Sequence, residues 1–138
     1  MITGINHITF AVKNLEQSLG FYLDILGCEL AAKWEKGAYL QAGNLWICLS
    51  LDDKTQSAPP QNYSHIAFDI TPENFAKMHQ RCSDNNVQFW KENTSEGESL
   101  YILDPDFHKL EIHYSTLRNR LKAMRESPYQ GQEIYEKY

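Results

Sequence analysis

Two stretches of the chain alternate apolar and polar residues with a period of two, and each carries a histidine near its start. The first runs from Asn6 to Val12, and the second from Ser64 to Ile70. Such alternation predicts half-buried β-strands, in which successive side chains point to opposite faces. His7 and His65 therefore lie on the face that their apolar neighbours avoid, and the pattern predicts a site made in two halves.

Each of these strands is followed by a segment with the spacing of an amphipathic helix. Asn14 is a suitable N-cap with Gln17 three residues later, and Gly27 is a typical terminating residue. In the second half, Thr71 and Pro72 predict an N-cap followed by proline at the first helical position. The two apolar stripes are Leu15, Leu19, Tyr22, Leu23 and Leu26, and then Phe75, Met78, His79 and Cys82.

Short strands and turns complete both halves in the same order. Strands are predicted over residues 28–34, 37–42 and 45–50, and then over 64–70, 87–91, 99–103 and 109–114. Internal repetition of this kind indicates a repeated structural unit. The predicted fold is α+β, with a first βαβββ module over 1–51, a linker over 52–62, a second module over 63–115, and a helix (116–126) and tail over 116–138.

Composition narrows the classes of function. The chain has 138 residues, 42% of them apolar and 22% charged, which is typical of one soluble globular domain or of two small half-domains that share a core. A net charge of -5 disfavours nucleic acid as a partner. No apolar run approaches the roughly 20 residues of a membrane span, and no signal segment is apparent. Three cysteines without a CxxC pattern favour a reducing cytoplasm.

The repeated histidines predict a metal site. One lone histidine on a strand is most often held by an ordinary hydrogen bond, but two at equivalent positions favour a shared ligand set. Glu111 is the preferred third ligand, because a glutamate within an apolar strand is costly unless it is paired or ligated. His113, on the same face, is its rival. Two imidazoles and a carboxylate suit Mn, Fe, Ni or Zn acting as a Lewis acid.

A polar segment from Trp90 to Tyr101 is the other candidate for chemistry. Its composition alone favours a solvated hairpin loop. Its residues also include donors for an oxyanion and carbonyls for a monovalent cation. The donors are Lys91, Ser95, Ser99 and Tyr101. Arg120 is either an ordinary surface arginine or a further positive charge that binds the oxyanion. Trp34, Tyr39, Trp46 and Cys48, read alone, predict packing in the core or in a barrel and not a functional role.

These residues together resemble a known family. The matching segments are Asn6–Thr9, Gly37–Tyr39, Leu45–Ser50, Tyr63–His65, Trp90–Lys91, Ser95–Ser99, Asp104–Asp106, His108–Glu111 and Pro128–Tyr129, with Trp34. They are similar to the fosfomycin-resistance thiol transferases, and most of all to the glutathione-using branch of the vicinal oxygen chelate superfamily. The likeness extends from residue 1 to about residue 131, and so many ordered matches make it specific.

The resemblance implies a homodimer in which βαβββ modules of two chains pair as open, barrel-like sheets. It also implies Mn(II) bound by His7, Glu111 and a His65 that comes from the partner subunit. Fosfomycin, an epoxide with a phosphonate, is the implied substrate, and glutathione is the implied thiol. The implied potassium site consists of Asn93, Ser95, Gly97 and Ser99. The implied substrate contacts are Thr9, Trp46, Lys91, Ser95, Ser99, Tyr101 and Arg120, with Thr9 near the oxirane oxygen. The implied thiol contacts are Trp34, Lys36 and Tyr39.

Several positions depart from the family pattern. Phe107 stands where glycine is usual, so the turn must either change shape or tolerate the ring. Thr94 replaces an arginine and Lys36 a neutral polar residue, which changes how glutathione would be held. The alternatives are an epoxide hydrolase, whose branch has a glutamate at the place of Gly37, a transferase that uses another thiol, and a non-catalytic protein that binds the drug.

Overall fold

The protein, represented by a computed structural model that describes residues 1–94, 97–135 and 137, contains two four-stranded sheets and three helices in those residues. The first half comprises β1 (His7–Val12), α1 (Leu15–Leu19), β2 (Glu29–Trp34), β3 (Gly37–Ala42) and β4 (Leu45–Leu51). The second half comprises β5 (Ile66–Asp69), α2 (Pro72–Asp84), β6 (Phe89–Lys91), β7 (Glu98–Leu103) and β8 (Lys109–Tyr114), followed by α3 (Leu117–Glu126).

The two sheets have the same topology. The first sheet has the strand order β1-β4-β3-β2 and the second β5-β8-β7-β6. In each sheet the first strand of the module pairs parallel to its last strand (β1 with β4, and β5 with β8), and the remaining pairs are antiparallel. Neither sheet closes on itself. The predicted α+β fold of two βαβββ units with open sheets is confirmed, and residues 52–62 between them contain neither helix nor strand.

The elements differ from the sequence prediction mainly at their ends. The Asn14 side chain accepts a hydrogen bond from the Gln17 backbone N–H at 3.0 Å, as an N-cap does. The single predicted helix, however, changes after Leu19 to π-helical turns over Gly20–Ile25. The strand predicted from residue 87 begins only at Phe89, because the Val87 N–H still bonds to the Cys82 carbonyl at the end of α2.

The core is continuous through both modules. Alternate residues of the central strands point inward, such as Ile47 and Leu49 on β4 and Leu110 and Ile112 on β8. Burial of these apolar side chains is the main stabilising term. Since one face of each central strand is used in this way, the opposite face is left for polar and aromatic side chains. No helix within the described ranges is long and apolar enough to cross a membrane.

A turn between β7 and β8 links the second module to the first. The Asp104 carboxylate accepts hydrogen bonds from the backbone N–H groups of Asp106 and His108 and from the buried Tyr22 hydroxyl at 2.7 Å. Phe107, in the same turn, has a φ of 65°. Left-handed backbone is unfavourable for a residue with a side chain, so the turn keeps a geometry suited to glycine and tolerates the ring.

Candidate active site

Four polar or aromatic side chains lie together on the face of the second sheet that points away from the core. Register places Ser99 opposite His113 and Tyr101 opposite Glu111 on β7 and β8. Their inward neighbours Leu100, Ile102, Leu110 and Ile112 belong to the core. We call this surface, formed by Ser99, Tyr101, Glu111 and His113, the glutamate face.

His65 reaches the glutamate face from the residue just before β5. Its Nε2 lies 2.9 Å from Oε2 of Glu111, and its Nδ1 lies 2.7 Å from the Tyr63 carbonyl oxygen. A carbonyl oxygen only accepts, so Nδ1 carries a proton and a neutral ring turns the lone pair of Nε2 toward the carboxylate. That contact is attractive only when a cation, either a proton on Nε2 or a metal ion, lies between the two groups.

This arrangement has the donor chemistry of a metal site. Metal-binding histidines typically donate their second ring N–H to a carbonyl or carboxylate, as His65 does to Tyr63. The second oxygen of Glu111, Oε1, accepts a hydrogen bond from the Ser99 hydroxyl at 2.6 Å. Oε2 is therefore the oxygen turned toward the imidazole. An imidazole nitrogen and a carboxylate oxygen suit a divalent cation of the manganese type.

The hydrogen bonds hold Glu111 in its charged form. Burial acts to raise the pKa of this carboxyl, since the side chain is only 10% exposed. The hydrogen bonds from Ser99 and His65 and the charges of His113 and His65 act in the opposite direction and outweigh it. The result is a Glu111 pKa below the ordinary value, and a carboxylate that is ionised and available as a ligand.

Three aromatic rings surround His65, and a cation lies against two of them. The Lys91 ammonium donates to the Tyr63 hydroxyl at 2.6 Å and lies 4.7 Å from the centre of the Tyr101 ring. The hydrogen bond to Tyr63 raises the pKa of Lys91. Trp90 lies 5.2 Å from the rings of both His65 and Tyr101. Tyr63 and Trp90 had no predicted role in the site, although Tyr63 stands two residues before His65.

The exposed face of the first sheet carries an aromatic strip. The His7 ring lies 4.3 Å from Trp46, Trp46 lies 5.1 Å from Tyr39, and Tyr39 lies 4.7 Å from Trp34. We call these four residues, which cross β1, β4, β3 and β2 in order, the aromatic strip. Trp34, Tyr39 and Trp46 are each about two-fifths exposed, so the packing that their sequence alone predicted is with one another and not within the core.

Other predicted residues of the first module lie on or beside this strip. Thr9 is exposed and, like Tyr39, stands opposite Cys48 in the register. Lys36 is exposed at the turn between β2 and β3. Gly37 lies directly under Trp34, because a Cβ added at position 37 would be 2.6 Å from the indole ring and 2.7 Å from the Leu49 carbonyl oxygen.

The remaining predicted residues belong to the segment before β7 and to α3. The Asn93 side chain donates to the Gly97 carbonyl oxygen at 2.7 Å. Arg120 is half-buried on α3. Ser95, expected to contact both substrate and potassium, lies outside the described residues.

The three expected metal ligands do not meet within one chain. Over residues 1–94, 97–135 and 137, no three His, Cys, Asp or Glu side chains are close enough together to hold one ion. The expected division of the ligands, with His65 alone from a partner subunit, stays a prediction that the contacts within this chain do not favour. His65 and Glu111 contact each other in the same module of the same chain, because β5 and β8 are parallel neighbours. His7, on the first sheet, is the ligand that stands apart.

Comparisons with known proteins agree with this architecture. A family model described as the glyoxalase/bleomycin resistance protein/dioxygenase superfamily matches residues 4–112. The glutathione transferase FosA of Serratia marcescens is 48% identical over 133 residues, which are 95% of this chain and 94% of that protein. The metallothiol transferase FosB of Staphylococcus saprophyticus is 36% identical over 130 residues, 91% of this chain and 86% of that protein.

A solved structure is similar over nearly the same length. It is a variant of the fosfomycin resistance protein FosX from Listeria monocytogenes, complexed with Mn(II) and a dihydroxypropylphosphonic acid. It matches with a TM-score of 0.78 and 32% identity, covering 88% of this chain and 99% of that one. The chain therefore belongs to the glyoxalase/bleomycin resistance protein/dioxygenase superfamily and, within it, to the family of the fosfomycin-resistance thiol transferases.

Proposed function

We propose that this protein is a metal-dependent transferase that adds the thiol of glutathione to the oxirane ring of fosfomycin. The observation that carries the proposal is the 2.9 Å approach of His65 Nε2 to the Glu111 carboxylate, which calls for a cation between them. The 48% identity to a glutathione transferase supports the choice of thiol. The reaction belongs in the cytoplasm, where thiols are kept reduced.

The metal site we propose combines His65 and Glu111 of one chain with His7 of a second copy. The Mn(II) in the FosX structure supports manganese. When bound, the ion would act as a Lewis acid that stabilises negative charge on the departing oxirane oxygen. The residues of this chain hold the site in shape: Tyr63 fixes the ring of His65, and Ser99 fixes Glu111.

The phosphonate of fosfomycin would lie against the cationic side of the glutamate face. Lys91 is held there by the Tyr63 hydroxyl and the Tyr101 ring, so a positive charge is positioned within an otherwise acidic protein. We assign the phosphonate contacts to Lys91, Ser95, Tyr101 and Arg120. A potassium ion held by Asn93, Ser95, Gly97 and Ser99 would add a second charge that opposes the dianion.

Glutathione would lie along the aromatic strip. The rings of Trp34, Tyr39 and Trp46 in this strip are partly exposed and packed edge to face, which gives a rigid apolar surface with polar ends. We assign the thiol contacts to Trp34, Lys36 and Tyr39, while Thr9 and Trp46 face the epoxide. In the reaction the sulfur forms a bond to a ring carbon, the C–O bond breaks, and the proton lost by the thiol ends on the new hydroxyl. Alignment of the two reactants supplies much of the rate, up to about 7–11 kcal/mol in favourable cases.

The space at position 37 favours a thiol over water as the nucleophile. The water-adding branch is expected to carry a glutamate base there. In this chain the Trp34 ring and the Leu49 carbonyl occupy the volume that any side chain at position 37 would need. A carboxylate base is thus both absent and sterically excluded, unless Trp34 and β4 move.

Product analysis tests the proposal. The protein is incubated with fosfomycin, Mn(II) and K⁺, and separately with glutathione, with cysteine or without a thiol. Mass spectrometry is expected to find the glutathione adduct, formed faster than the cysteine adduct. Formation of the diol without thiol would instead support the second candidate, epoxide hydrolysis, which the diol bound in the FosX complex favours. Binding of fosfomycin without any product, unchanged in His7→Ala, would support a drug-binding protein and overturn both enzymatic functions.

A further inference from the structure

His113 belongs to the glutamate face, but its ring bonds to Ser99 and not directly to Glu111. Its Nδ1 lies 2.7 Å from the Ser99 hydroxyl oxygen and 3.0 Å from the Glu98 carbonyl oxygen. The same nitrogen is 3.7 Å from Oε1 of Glu111, which is beyond hydrogen-bond distance. The ring is therefore tied to Glu111 through Ser99.

The direction of these hydrogen bonds follows from the groups involved. The Glu98 carbonyl only accepts, so Nδ1 of His113 carries the proton and is shared between Glu98 and Ser99. A serine hydroxyl has one proton and two lone pairs. Since one lone pair of Ser99 accepts from His113, its single proton is directed to Oε1 of Glu111 at 2.6 Å. If Ser99 donated to His113 instead, two acceptors would face each other at two contacts. These are Nδ1 of His113 with the Glu98 carbonyl oxygen, and the Ser99 oxygen with Oε1 of Glu111.

We propose that His113 is a positioning residue that orients the Ser99 hydroxyl and thereby leaves Glu111 only one free carboxylate oxygen, Oε2, for a divalent cation. This inference rests on the proposed function for the identity of the cation. Without the His113 donor, the Ser99 hydroxyl is free to rotate, and Glu111 gains the freedom to turn Oε1 toward the ion or away from His65. Ligand-orienting hydrogen bonds of this kind typically change metal affinity by about 10- to 100-fold.

The same geometry limits what Ser99 does. Its proton is used on Glu111 and one lone pair on His113, which leaves one lone pair. A lone pair suits a cation ligand and not a donor to a phosphonate. Of the two roles expected for Ser99, the geometry favours the potassium contact.

Gly97 provides the room that His113 needs. A Cβ at position 97 would lie 2.9 Å from Cε1 of the imidazole, and the backbone there has a φ of 79°. The histidine ring is thus packed against bare backbone on one side. Its side chain is only 19% exposed, so few other orientations are open to it.

The first test uses the metal-free protein and needs no substrate. Long-range ¹H–¹⁵N spectra of histidine-labelled protein, at a pH where the ring is neutral, report which nitrogen carries the proton. A proton on Nδ1 of His113 is expected. A proton on Nε2 would overturn the inference, because Nδ1 would then accept from Ser99 and no proton would remain for Glu111.

The second test measures Mn(II) affinity by the electron paramagnetic resonance signal of the free ion. His113→Leu, which removes the donor, is expected to weaken binding about 10- to 100-fold. His113→Asn, whose amide can donate from a similar position, is expected to recover most of the affinity. Equal losses in both variants, or no loss in His113→Leu, would overturn the inference. If the variants show this pattern of Mn(II) affinity but the wild-type protein forms no adduct, the proposed reaction is refuted and the role of His113 is not.

Discussion

Nε2 of His65 lies 2.9 Å from Oε2 of Glu111, although the two residues are 46 positions apart in the chain. The parallel pairing of β5 with β8 brings them together within one module. Any exchange of modules between subunits must therefore move both residues as a unit. His7 stays with the first sheet, and a second copy of the chain is the source we propose for the third ligand.

Mixed dimers are expected to restore activity from two inactive variants. His7→Ala and Glu111→Ala should each lose turnover by orders of magnitude. When the two are unfolded together and refolded in equal amounts, half of the dimers pair unlike chains and each has one intact site, so about a quarter of wild-type activity returns. The measurement is adduct formation after refolding.

The control for this experiment is a mixture of His65→Ala with Glu111→Ala. These two ligands come from the same module, so no combination of chains rebuilds a site and activity stays absent. Activity in the control mixture, or no activity in the mixture of His7→Ala with Glu111→Ala, would contradict a site made from His7 of one chain and His65 and Glu111 of the other.

Gly37→Ala is expected to impair thiol use. The added methyl group would overlap the Trp34 ring and the Leu49 carbonyl oxygen, so the ring must leave its place in the aromatic strip. Loss of one aromatic contact, about 0.5–1.5 kcal/mol, corresponds to a KM for glutathione raised roughly 2- to 12-fold. Steady-state kinetics with each substrate varied should show a smaller change in the KM for fosfomycin. Gly4→Ala, where nothing lies within 4 Å, is the control.

Tyr22→Phe is expected to destabilise the protein by about 1–3 kcal/mol, because it leaves the buried Asp104 carboxylate without one of its donors. Urea unfolding measures the change. Tyr129→Phe removes a hydroxyl from an exposed ring and should change the free energy of unfolding by less than about 0.5 kcal/mol. Equal effects of the two variants would show that the Tyr22–Asp104 contact is unimportant.

The effect of Tyr22→Phe should also depend on pH. Burial raises the pKa of Asp104 above its ordinary value of 3.8, although hydrogen bonds and His108 act to lower it. The native state thus holds this proton more tightly than the unfolded state, and stability falls as the pH rises through the window above 3.8. The Tyr22 hydroxyl favours the charged form of Asp104, so its removal raises the Asp104 pKa further. Tyr22→Phe therefore lowers the free energy of unfolding more above this pH window than below it. A destabilisation by Tyr22→Phe that becomes smaller as the pH rises would contradict this prediction.

At position 107 glycine is expected to be more stable than alanine. Both substitutions remove the ring of Phe107, but only glycine adopts a φ of 65° without steric cost, a difference of about 1 kcal/mol. At Phe89, an exposed strand residue, the order should reverse, with glycine less stable than alanine by about 0.5–1 kcal/mol. Thermal unfolding of the four variants measures both differences, and the same order at both positions would refute the explanation.

Local patterns were sufficient to predict the fold. Period-two alternation marked β1 and β5, the Asn14 cap marked the start of α1, and the repeated order of elements gave the two modules. These features depend on neighbours in sequence, so they can be read from the chain itself. Element ends were less predictable, because they depend on competing hydrogen bonds such as that from Val87 to Cys82.

The sequence by itself determined which residue types carry the chemistry: two histidines at equivalent strand positions and one glutamate in an apolar strand. Only the tertiary structure decided how they are grouped. Strand pairing sets distances between residues far apart in the chain, and it joined His65 to Glu111 while leaving His7 on the other sheet. Hydrogen-bond direction decided the rest, because the single proton of Ser99 has one destination only once His113 and Glu98 are in place around it.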